Sequence, residues 1–101
     1  MSQEALNRMA TQVAAAAYND IFVIGTNLGS IPGVEKVYVS KNGKYYSVWT
    51  VVRSFERSLR NRIYEVERSL FEHFPGIRFE FSVIEGDETT YLPEADVAYP
   101  R

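Results

Sequence analysis

Val37-Tyr38-Val39-Ser40-Lys41-Asn42-Gly43-Lys44-Tyr45-Tyr46-Ser47-Val48-Trp49 sets two runs of β-branched and aromatic side chains on either side of an Asn-Gly pair. The pair predicts a two-residue hairpin turn, because both central residues of a type I′ turn take positive φ, which Asn tolerates and Gly adopts without steric cost. A turn at Asn42-Gly43 pairs Lys41 with Lys44, Val39 with Tyr46, Val37 with Val48 and Glu35 with Thr50. Side chains alternate along a strand. Val37, Val39, Tyr46 and Val48 therefore share one face, and Lys36, Tyr38, Ser40, Tyr45, Ser47, Trp49 and Val51 share the other. The two strands run over about residues 34–40 and 44–53.

Upstream of the hairpin, Leu6, Met9, Val13, Ala17, Ile21, Ile24 and Leu28 recur at helical spacing and predict a long helix over residues 3–27. Ser2 stands at the cap position, Glu4 in the first turn, and Gly29 with Pro32 supplies the stop. A competing reading ends the helix near Asn19 and makes Ile21 to Ile24 a short strand, since the run is β-branched and aromatic and Gly25 costs a helix about 1 kcal/mol. The helix is the favoured reading.

Downstream, Ser54 occupies a cap position before Phe55, Leu59, Ile63, Val66, Leu70 and Phe74, the apolar stripe of a second helix that Pro75-Gly76 ends. Ile77, Phe79, Phe81 and Val83 then alternate with Arg78, Glu80, Ser82 and Ile84 as a third strand. Each amphipathic element needs an apolar partner. The expected architecture is α+β, in the order α-β-β-α-β: a three-stranded sheet with two helices on one face, a ferredoxin-like variant. A third strand parallel to the second requires a right-handed crossover; its place beside the first or the second strand is open. Residues 1–84 form the expected domain. Residues 85–101, with Gly86, Pro93 and Pro100, read as an irregular acidic tail that Tyr91, Leu92, Val97 and Tyr99 equip for docking.

The chain has 101 residues, 46% of them hydrophobic and 14% aromatic, enough for one modest core. With no Cys and only His73, disulfides, thiolate chemistry, common zinc sites and multi-histidine clusters are excluded. No signal peptide is apparent and no apolar stretch approaches the roughly 20 residues that span a bilayer. A cytoplasmic location without membrane attachment is the expectation. The formal charge of −2 divides unevenly, because Glu85, Asp87, Glu88, Glu94 and Asp96 face only Arg101 in the tail. No global field attracts nucleic acid.

The stretch Leu28-Gly29-Ser30-Ile31-Pro32-Gly33-Val34, followed by Val37, resembles the helix-to-strand passage of small ferredoxin-like α-β-β-α-β domains, such as the cytoplasmic domain of cation-efflux transporters and some heavy-metal-associated domains. In topology the resemblance covers residues 18–84, in sequence this passage alone. It implies the fold and self-association. Those relatives hold metal through His, Asp or Cys, and the lone His73 does not carry metal transport over to this chain.

Two surfaces are candidates for binding. Tyr38, Tyr45 and Trp49, with Lys36 and Arg78 beside them, lie on the sheet face opposite the helices, where aromatic rings suit a second copy of the chain, the acidic tail, or a small ligand or nucleic acid. The glycine-spaced basic signature of RNA-recognition sheets is absent. Arg57, Arg60, Asn61, Tyr64 and Arg68 form a stripe along the second helix, suited to phosphate or an acidic partner, or else a solvated edge balanced by Glu56, Glu65, Glu67 and Glu72. His73 reads as a helix C-terminal cation, and Gly25, Gly29 and Gly33 as turn and close-packing residues rather than a phosphate loop. Glu85, Asp87 and Glu88 lack the ligand spacing of a calcium loop. No catalytic, cofactor or metal site is assigned. The expected function is protein association without catalysis, as a homodimer through the aromatic face; the alternative is a small-ligand or nucleic-acid binder using those aromatics and the arginine stripe.

Overall fold

The computed structural model describes residues 20–100. Helix α1 covers residues 20–29 and is followed by β1 (Val34–Asn42), β2 (Tyr45–Val52), α2 (Arg57–His73), β3 (Arg78–Glu85) and β4 (Asp96–Tyr99). The strands form one mixed sheet in the order β3-β2-β1-β4. β1 pairs antiparallel with both β2 and β4, while β2 and β3 run parallel through the α2 crossover. The expected class is found, but with four strands instead of three, and this strand order is not that of a ferredoxin-like sheet.

The hairpin turn lies one residue further along than expected, at Gly43-Lys44, with Asn42 paired to Tyr45. Gly43 has φ of +62°, and no non-glycine residue among those described has positive φ. A glycine at the first central position fits a type II′ turn, which asks nothing unusual of Asn42. Charge explains the choice. The expected register sets Lys41 opposite Lys44, whereas the observed one sets Lys41 opposite Tyr46, with the ammonium 4.9 Å from the ring centroid. Each cross-strand partner changes by two residues, so Val37 faces Thr50 and Val39 faces Val48. An even change preserves the faces.

Residues 21–24 are helical, which decides between the two readings of that run. The predicted helix over residues 3–19, with its Ser2 cap and Glu4, lies outside the described residues. Gly25 is tolerated within α1 because a Cβ there would meet Ala98 O at 2.2 Å, and Gly29 likewise faces the Tyr99 ring at 2.2 Å. Both glycines let α1 approach β4 closely. A bulge between the Val37/Tyr99 and Tyr38/Val97 pairs lets the consecutive Ala98 and Tyr99 both reach the helix. The expected irregular tail is thus corrected: its end is a strand on the free side of β1.

Helix α2 begins at Arg57, so its N-cap is Glu56 and not the expected Ser54, and Glu56 makes no side-chain capping bond. Phe55 remains outside the helix, its N–H 3.4 Å from Glu85 Oε1. Ile24 and Leu28 of α1 and Leu59, Ile63 and Leu70 of α2 join Val37, Val39, Tyr46 and Val48 in one core, so both helices cover the same sheet face. Among the described residues no helix is long and apolar enough to cross a membrane.

Candidate functional site

The outer sheet face follows from the alternation of β1 and β2, and the chain itself covers much of it. After β3 the backbone turns at Gly86, whose N–H donates to Val52 O at 2.7 Å, and passes over the sheet before returning as β4. Tyr38 Oη donates to Thr90 O at 2.7 Å and Lys36 Nζ donates to the same oxygen at 3.1 Å. Tyr38 is only 1% exposed and Val51 is fully buried. Trp49 is half-buried beside Leu92, Pro93 and Ala95, in a niche of about 320 Å³. The tail therefore occupies the place expected for a second copy.

The five outer-face candidates are accordingly divided. Tyr38 and Lys36 hold the crossing segment, and Trp49 lies under it. Tyr45, 43% exposed, donates its hydroxyl to Glu80 on the neighbouring strand, and Arg78 is exposed at the start of β3. These residues do not converge on one open platform.

The α2 stripe is more intact. Arg57, Arg60, Asn61, Tyr64 and Arg68 are all exposed. Arg60 lies over the Phe55 ring at 4.7 Å, and none of the ion pairs among the described residues uses a stripe arginine. The acidic tail instead engages Arg53, which pairs with Glu88 and with Glu35, both at 3.0 Å. Arg53 borders an open cleft of about 410 Å³ with Arg62, Ser54 and Ser58 at the beginning of α2.

Two polar groups escape the apolar pattern. Glu67, expected on a solvated helix edge, is buried, and burial pushes its carboxyl up to about 7. Its position was readable in principle, since Leu59, Ile63 and Glu67 follow at four-residue steps along the inward face. Asp20 of α1 accepts hydrogen bonds from the Tyr46 hydroxyl and, at 3.1 Å, from Lys41 Nζ. Burial raises the Asp20 pKa, but the bonds from Tyr46 and Lys41 outweigh it and hold the carboxyl below its ordinary value. Burial and the bond to Asp20 push the Tyr46 phenol up. A phenol held protonated and a carboxylate held ionised clamp helix to hairpin; neither is poised to exchange a proton near neutrality. His73 is exposed in the last turn of α2.

The open edge of β3 is a surface that the sequence reading missed. Phe71 of α2 is 48% exposed and meets Phe79 and Phe81 edge-on, with centroids 5.6 and 5.3 Å apart. Phe79 and Phe81 are themselves only half-buried, because among the described residues no strand lies beyond them. The signal was the apolar alternation of β3, whose edge position depended on the undecided strand order.

No protein-family model matches the chain, and comparison with curated proteins and with solved structures finds no match.

Proposed function

We propose that this chain is a small association module without catalysis, offering the β3 edge to an extended segment of another polypeptide. The observation that carries the reading is an eight-residue edge strand, regular in its pairing with β2 and flanked by a half-exposed Phe71, Phe79, Phe81 cluster. Strand addition gains main-chain hydrogen bonds, and an apolar flank adds selectivity. A short capped peptide of alternating Thr and Val is a generic strand probe. Its titration should move backbone amide resonances of β3 and the neighbouring Phe71 alone. Shifts spread over the molecule, or none, overturn the reading.

A second reading is supported by the stripe of Arg57, Arg60 and Arg68, which no described carboxylate pairs. Such a stripe fits a phosphate-bearing ligand lying along α2. Inorganic polyphosphate should then bind with an affinity that falls steeply with salt and drops on Arg60→Gln. Binding indifferent to both removes this reading.

A further inference from the structure

We infer that the occupant of the β3 edge is a second copy of this chain, paired antiparallel about a two-fold axis at Phe81, so that two four-stranded sheets continue as one. The inference rests on the edge reading above and names its partner.

Backbone parity comes first. Arg78 N–H donates to Lys44 O at 2.8 Å and Gly86 N–H to Val52 O at 2.7 Å. In a parallel ladder alternate residues bond the same neighbour, so the even-numbered residues of β3 serve β2. Phe79, Phe81 and Val83 therefore turn their N–H and C=O groups to the open side. An antiparallel partner must set these odd-numbered residues against one another, which leaves a small set of registers.

Charge and apolar matching choose among them. An axis at Arg78 opposes two arginines, and one at Glu80 opposes two carboxylates, both unfavourable. An axis at Phe79 sets Arg78 against Glu80 but runs into the Pro75-Gly76 turn, where Ile77 N–H is already bonded to Phe74 O at 3.1 Å, and leaves Val83 unpaired. An axis at Ser82 or Val83 sets Glu85 against Phe79 or Phe81 on the helix-covered face within the strand, whereas an axis at Phe81 sets it only against Ile77, which lies outside β3. The axis at Phe81 uses Phe79, Phe81 and Val83 together and opposes no like charges. It sets Glu80 opposite Ser82 of the second copy, whose hydroxyl is a donor, and Phe79 opposite its Val83.

The same axis accounts for Phe71. This side chain packs against Phe81 at the open edge, so pairing there brings the two copies' exposed rings towards the axis and takes them out of water. One self-complementary patch completes both molecules, as a two-fold interface requires. The tail-covered outer face is not needed for it.

Sedimentation equilibrium of the full chain at about 0.1 mM should show a dimer. Ser82→Glu places a carboxylate opposite Glu80 twice and should raise the dimer Kd about tenfold. Adding Glu80→Lys makes both contacts attractive and should restore the wild-type Kd, with far-ultraviolet circular dichroism checking that each variant is folded. A wild type that is monomeric at about 0.5 mM overturns the second copy as occupant. The edge reading then stands or falls separately on the strand-peptide titration. A dimer unchanged by Ser82→Glu, or not restored by the added Glu80→Lys, also overturns the inference, because its axis lies elsewhere.

Discussion

The two edges of the sheet are built differently. β4 is four residues long, bulged against β1, carries the exposed Asp96 and is followed at once by Pro100. β3 has eight residues, pairs with β2 without a register shift and contains no proline. Short length, bulges, charge and proline are the devices that keep an edge from recruiting another strand. One edge has all four; the other has only Arg78, Glu80 and Glu85 as charges. The halves beneath differ in the same sense. α1 meets β4 at backbone distance through Gly25, whereas α2 leaves Phe71 half outside and buries a carboxyl. A protected half and an uncovered half within one sheet are what the proposed association through β3 requires.

The largest effect should come from the protected half. Gly25→Ala would normally stabilise a helix, yet here the added methyl meets Ala98 backbone, and a loss of about 3 kcal/mol is expected in urea unfolding. A neutral or stabilising result would mean that α1 and β4 are not closely seated, and the contrast would fail.

Glu67 probes the uncovered half. Its carboxyl is held near 7 against an ordinary 4.5, so the folded state binds its proton more tightly than the unfolded state does. The resulting destabilisation is absent below about 4.5, grows as pH rises towards about 7 and is constant above that. Glu67→Gln should gain about 2 kcal/mol at pH 8, gain little at pH 4, and flatten the slope between. Equal gains at both pH values would remove burial as the cause.

Tyr38→Phe removes the hydroxyl that holds Thr90 O. It should cost about 1 kcal/mol and speed amide exchange in the segment crossing the outer face, leaving β3 exchange unchanged. Accelerated exchange in β3 as well would tie the two edges together. An effect of similar size but opposite sign is expected at the centre, where the buried Thr50 hydroxyl has no hydrogen-bond partner among the described residues. Thr50→Val should gain about 1 kcal/mol without altering association, and a loss would point to a buried water there.

The sequence carried the faces of the sheet further than its turn. Alternation placed Val37, Val39, Tyr46 and Val48 under the helices although the turn itself was assigned one residue early, because the resulting error in partners was even. The correct turn needed a side-chain consideration beyond backbone turn propensity, the opposition of Lys41 and Lys44 in the expected register. β4 was hidden for a different reason. Asp96 to Tyr99 offers only four residues, and their strand character comes from the open side of β1 and from glycines some seventy positions earlier. Local propensity holds no record of such a partner. The aromatic outer face was legible as a group needing cover, and the tail among its possible covers. The β3 edge was not, since edge status is a property of strand order.

Tyr38 hydrogen-bonds Thr90 and stands opposite Val97, so the middle strand of the antiparallel half is completed by residues synthesised long after it. On the ribosome, β1 and β2 can zip together while the free side of β1 is still without its neighbour. Asp96 to Tyr99 therefore act as a late seal: until they emerge, the side of β1 away from β2 is unpaired, and their pairing closes it.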